Sequence, residues 1–177
     1  MQILALVGSP RRNGNTDLLV DQVLKGAESR GHSGGKIYLY NYQISPCIDC
    51  RGCKKGSFDC HLDDGMQEIY PRLEEADVII FGTPVYWYGP TAKMKLLIDR
   101  PRPFIASNRL QRKRGILISP SEEGPGCCGP LVEMFRMSFG YLGMEMGGSL
   151  LAKAYERGEI GSQTAELRRA WELGASL

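Results

Sequence analysis

The chain has 177 residues, with 22 Lys and Arg against 20 Asp and Glu and a net charge of +2. That length suits one domain with a sizeable core, and so small a charge gives no reason to expect nucleic acid as a partner. No run approaches the roughly 18 apolar residues of a membrane span, and the opening apolar run is too short, and too poor in basic residues, for a signal peptide; a cytoplasmic protein is expected.

Gln2–Val7 reads as a buried strand that ends abruptly in Gly8-Ser9-Pro10-Arg11-Arg12-Asn13-Gly14-Asn15-Thr16. Leu18, Leu19, Val23, Leu24 and Ala27 then recur at helical spacing, and Gly31 offers a stop. Lys36–Tyr40 reads as a second strand. An irregular, cysteine-bearing insertion follows at about 42–65. Asp64-Gly65-Met66 opens a helix carrying Ile69, Tyr70 and Leu73, and Asp77–Gly82 is a strand apolar enough to be buried on both faces.

Thr83–Pro90 reads as a loop, followed by a helix carrying Ala92, Met94, Leu96, Leu97 and Ile98 that Pro101 and Pro103 break. Arg114–Ser119 is the fourth strand, with a loop from Pro120 to Gly129 and a helix from Pro130 to about Tyr141. Met144–Leu151 serves as the fifth strand, and a last helix covers about 163–173. Strands alternating with helices imply one α/β domain over 1–177, built on a parallel sheet with helices on both faces. Ligands of such sheets bind outside the carboxyl ends of the strands.

Three loops fall at those ends. The first is an anion cradle: helix-start amides lack intrahelical partners, Ser9, Asn15 and Thr16 add donors, and Arg11 and Arg12 add charge. It lacks both the Gly-Lys-Ser/Thr ending of a triphosphate loop and the spaced glycines of a dinucleotide fingerprint. The second holds Tyr86, Trp87 and Tyr88 in succession, which cannot all enter one core and would suit a planar heterocycle. The third, from Ser119 to Gly126, is rich in Gly, Ser and Glu.

Gly8–Thr16 and Thr83–Gly89, with Lys95-Leu96-Leu97-Ile98-Asp99-Arg100, resemble the flavin-binding signatures and the helix after the second of them in the NADPH-dependent FMN reductase family. The resemblance implies a flavodoxin-like three-layer sandwich with five parallel strands in the order 2-1-3-4-5 and non-covalent FMN. It also implies that Ser9, Arg11, Asn15 and Thr16 hold the phosphate, that Pro84, Val85, Tyr86 and Trp87 line the isoalloxazine, and that Ser119 closes its other side. Electrons would come from NADH or NADPH and pass to a quinone, flavin, metal or nitro compound. A homodimer or homotetramer is implied as well.

Six cysteines in a chain of this kind point to metal, redox chemistry or burial rather than to a disulfide framework. Cys47, Cys50 and Cys53 form two successive C-x-x-C steps, and Cys60 follows after seven residues. Four thiolates at such spacing can ligate a [4Fe-4S] cluster. Zinc more often takes two separated pairs, and free redox-active thiols, activated by Lys54 and Lys55, are the other reading. The motif resembles that of the iron–sulfur flavoproteins, which implies a cluster near the flavin and, as an alternative role, an electron carrier fed by a ferredoxin-like protein. Cys127 and Cys128 read as small buried hydrophobes. Arg109–Arg114 reads as a solvated basic run, with Arg100 and Arg102 better placed to attract a nicotinamide cofactor. No Ser/His/Asp set supports hydrolysis, and no side-chain acid or base is expected to be essential.

Overall fold

In the computed structural model, which describes residues 1–177, five parallel strands form one sheet. They are β1 (Gln2–Val7), β2 (Ser33–Tyr38), β3 (Val78–Gly82), β4 (Arg114–Ser121) and β5 (Glu145–Lys153). Their order, β2-β1-β3-β4-β5, is the flavodoxin-like order expected. Helices α1 (Asn15–Glu28) and α6 (Thr164–Ala175) cover one face. The other carries α2 (Met66–Glu75), α3 (Ala92–Ile98), α4 (Arg102–Ser107) and α5 (Gly129–Tyr141).

Strand pleating divides the apolar residues between two cores. Leu4, Leu6, Ile79, Phe81 and Leu117 pack toward α2, α3 and α5, whereas Ile3, Ala5, Val7, Val78, Ile80, Ile116 and Ile118 pack toward α1 and α6. Because both faces are covered, the central strands read as continuous hydrophobic runs. Phe81, Phe135 and Phe139 form a ring cluster with centroids 5.1–5.6 Å apart, and burying each such side chain contributes roughly 1.5–3 kcal/mol.

Four boundaries differ from the expectations. β2 begins at Ser33 and stops at Tyr38, rather than spanning Lys36–Tyr40; its full register runs from Gln2↔Ser33 to Val7↔Tyr38. Gly34 hides the start because glycine disfavours strands, yet a Cβ there would come within 2.7 Å of Leu24. β5 extends to Lys153, with a register shift opposite Gly115 and Ile116 that leaves Gly147 unpaired. β4 continues two residues past Ser119 to Ser121. Pro101 and Pro103 end α3 but also start α4, because a helix's first turn needs no N–H acceptors.

No helix is long and apolar enough to cross a membrane. The segment between β2 and α2 holds only two short 3-10 turns, Leu39–Asn41 and Gly52–Lys54.

Candidate functional site

The carboxyl ends of β1, β3, β4 and β5 surround a cleft of about 200 Å3. Ser9, Arg11, Asn15 and Thr16 line one end, and Pro84, Val85 and Tyr86 line another. Seven of the nine residues expected from sequence therefore meet in one place. Trp87 and Ser119 do not line it.

The anion end is held by a buried carboxylate. Asp17 is 1% exposed and accepts the Asn13 N–H at 2.8 Å, Lys36 Nζ at 2.7 Å and the Tyr38 hydroxyl at 2.9 Å. Asn13 sits at φ 53°, a left-handed conformation that this bond helps to hold. Burial opposes ionisation of Asp17, but the hydrogen bonds from Lys36, Asn13 and Tyr38 outweigh it and hold the carboxyl below its usual range. The first intrahelical bond of α1 runs from Leu18 N–H to Gly14 O, so the amides of Asn15, Thr16 and Asp17 lie before the helix's own acceptors.

Asn15 has a role the sequence did not show. Its amide donates to Glu156 O at 2.8 Å and its oxygen accepts the Ile160 N–H at 3.1 Å. It thus binds the segment after β5 to the first turn, and this segment brings Ala154 and Tyr155 into the cleft. Arg11 reaches the Tyr155 carbonyl at 3.4 Å. Arg12 instead stacks over the Tyr38 ring, 3.3 Å from its centroid. Nothing in the residue types after β5 marks them as ligand-facing; only their position beyond a strand's carboxyl end would have found them.

The ring end is joined to the anion end by two buried threonines. Thr91 Oγ1 donates to Gly8 O at 2.6 Å and caps α3 by accepting the Met94 N–H. Thr83 Oγ1 accepts the Thr91 N–H at 3.1 Å. Ser119 belongs to this scaffold: fully buried, it donates to Thr83 O at 2.8 Å, and Pro120 and Glu122 face the cleft in its place.

Tyr86 and Gly89 exchange both backbone hydrogen bonds, and Trp87 and Tyr88 between them have φ of 50° and 61°. This is the two-residue turn that usually takes Asn-Gly. Bulky residues there store strain, and the turn leaves Trp87 97% exposed, pointing to solvent rather than into the cleft.

The four insertion cysteines line a separate nook with Asp49, His61, Arg100 and Arg102. No three His, Cys, Asp or Glu side chains are close enough to hold a metal ion. The donor set itself, four thiols beside two guanidinium groups, suits a larger sulfur-ligated centre with net negative charge. Burial pushes the Cys53 thiol up, reinforced by Cys60 and opposed by Arg102. Arg102, rather than Lys54 or Lys55, is the charge that opposes this rise at Cys53.

Arg100 is buried against Asp64, out of reach of a nicotinamide cofactor, and Arg102, partly exposed, pairs with Asp49 at 2.9 Å. Arg109, expected in solvent, pairs with Glu74 at 2.7 Å, and Lys113 donates to the carbonyls of Glu74, in α2, and Ala76, just past its end. Cys128 is buried as expected, whereas Cys127 is partly exposed, and both thiols donate to Gly124 O.

Residues 1–152 match the family model described as NADPH-dependent FMN reductase. The chain belongs to that family. An iron-sulfur flavoprotein of Methanocaldococcus jannaschii is 37% identical over 126 residues, covering 70% of this chain and 65% of that protein. The Bacillus subtilis protein YwqN, provisionally named an NAD(P)H-dependent FMN-containing oxidoreductase, is 30% identical over 168 residues, or 90% of this chain and 89% of that one. Among solved structures, an NAD(P)H:quinone oxidoreductase from Methanothermobacter marburgensis superposes with a TM-score of 0.78 at 18% identity, covering 99% of this chain and 95% of that one. That likeness concerns the fold. Family membership makes flavin-dependent oxidoreduction the chemistry of this chain, and the cleft, with unpaired helix-start amides at one end and Tyr86 at the other, fits FMN.

Proposed function

We propose that this protein is an FMN-dependent oxidoreductase that takes electrons from NAD(P)H and passes them to a small acceptor such as a quinone or nitro compound. The observation that carries the reading is the cleft itself: an anion cradle and an aromatic loop, tied together through Thr91 and Gly8, at the carboxyl ends of β1 and β3. Ser9, Thr16, Arg11 and the first amides of α1 hold the phosphate; the helix N-terminus favours its charge. Pro84, Val85, Tyr86, Pro120 and Glu122, which line the same cleft, are the residues that would bound the ring.

FMN, when bound, supplies hydride acceptance and onward electron transfer. The chain's own part is to bind, orient and shield it. Thr83, Thr91 and Ser119, all fully buried, fix the loop backbones that face the ring, and a rigid polar frame of this kind supplies orientation without a side-chain acid or base. Cys47, Cys50, Cys53 and Cys60 are the residues that would hold a [4Fe-4S] cluster, whose one-electron chemistry would complement that of the flavin.

Anaerobic mixing of the FMN-loaded protein with NADPH or NADH tests the reading: flavin absorbance near 450 nm should bleach within the turnover time. No bleaching with either nucleotide sinks direct reduction. Partial exposure of the cysteine nook, where Cys50 is open to solvent, favours a second reading as an electron carrier. Bleaching by a reduced ferredoxin alone would select it.

A further inference from the structure

Arg100 is 1% exposed, and a buried guanidinium is costly unless its charge and its donors are used. It stands just beyond the end of α3. Nη1 donates to Ser45 O at 2.7 Å and to Asp64 Oδ2 at 2.6 Å. Nη2 donates to Asp64 Oδ1 at 3.1 Å and to Cys60 Sγ at 3.4 Å. Nε is buried and has no acceptor in the protein. The Tyr70 hydroxyl donates to the Arg100 carbonyl at 3.0 Å, which fixes the backbone beneath the fork.

Clamping the insertion would need only the Asp64 and Ser45 bonds. The fork goes further. It reaches one thiol of the four, and Arg100 lines the same nook as the other three. Its unpartnered Nε is a donor that a sulfur-rich centre could satisfy. We infer that Arg100 is a positioning residue for the centre held by Cys47, Cys50, Cys53 and Cys60, and that its hydrogen bond to the Cys60 sulfur makes that centre easier to reduce. This rests on the iron–sulfur reading given above.

The physical reason is charge. Reduction adds an electron to a centre already ringed by thiolates, and an N–H donated to sulfur draws part of that density away. Asp64 balances the charge of the guanidinium as a whole, so the effect is local, carried by the N–H that Nη2 donates to sulfur, and being buried it is screened little by salt. The geometry also explains why the device sits here. α3 has seven residues and so rises about 10 Å; Thr91, tied to the flavin turn, caps its start, and Arg100 follows its end.

The test uses anaerobically reconstituted protein as wild type, R100K and the double variant R100Q/D64N. Arg100→Gln alone would leave Asp64 buried without a partner and could simply unfold the protein; the double variant removes both charges together. Iron and acid-labile sulfide are counted first. The cluster potential is then read by EPR-monitored titration, and the flavin potential by absorbance in the same sample. In R100Q/D64N the reduced cluster should be disfavoured about tenfold, a fall of about 59 mV for a one-electron couple, with R100K in between and the flavin potential unmoved. Full iron and sulfide with an unchanged cluster potential overturns the role of Arg100 and leaves the iron–sulfur reading standing. Wild-type protein that takes up no sulfide overturns that reading, and this inference with it.

Discussion

Asp17 places a negative charge in the first turn of the helix proposed to receive the phosphate, and Lys36 neutralises it. Lys36 lies 2.7 Å from Asp17, and its own ammonium is held charged despite burial by hydrogen bonds to Asp17 and Asp21. What remains is a mechanical role, holding the Asn13 amide and with it the left-handed bend of the turn. Because the folded carboxyl titrates below its ordinary value of 3.8, its stabilisation is complete above about pH 5 and is lost as pH falls through the depressed value. Asp17→Asn should therefore flatten the acid limb of a melting-temperature profile between about pH 2 and 5. It should also weaken FMN about tenfold through the loosened turn, since bonds to charged groups are worth about 1.5–3 kcal/mol, while leaving riboflavin affinity unchanged. Equal losses for the two flavins, measured by fluorescence quenching, would remove Asp17 from the phosphate end.

At the scale of elements, α1 and α6 cross with almost no side chain between them. A Cβ built on Gly26 would overlap the Trp171 carbonyl, and one on Gly174 would overlap the Val23 carbonyl. Gly26→Ala must push the helices apart, at a cost of about 1–3 kcal/mol or more. At roughly 2–4 °C per kcal/mol for a domain of this size, calorimetry should show a clear drop. A melting temperature within 1 °C of wild type would show that the crossing yields easily. This contact also marks what sequence could not disclose. Apolar periodicity locates α1 through Leu19, Val23 and Leu24, which all face the sheet, but glycine at a crossing carries no hydrophobic signal. Gly34 masks the start of β2 in the same way. The positive φ of Trp87 and Tyr88 is equally invisible, because their residue type argues against that backbone.

Across the whole molecule, legibility followed the sheet. Strands buried on both faces announce themselves as apolar runs, so the β1, β3 and β4 ends and the loops beyond them could be placed from sequence. Ser9, Arg11, Asn15, Thr16, Pro84, Val85 and Tyr86 do meet in the cleft. The contribution from beyond β5, by contrast, is fixed by two hydrogen bonds from Asn15 across more than a hundred residues, and long-range polar pairings leave no periodic trace. Ser119 shows the opposite failure: the right loop, but a hydroxyl spent on Thr83 O.

The insertion's two ends lie side by side. Gly65 N–H donates to Gln43 O at 2.7 Å, and Ser45 N–H to Asp64 at 2.8 Å. A loop that leaves and returns at one point opens no gap in the scaffold, and doubling its length adds only about 0.6 kcal/mol of closure entropy. The cysteine-bearing loop is in that sense a detachable cartridge. Descendants of this scaffold could lengthen it, shorten it or discard it while the cleft at the strand ends keeps its shape.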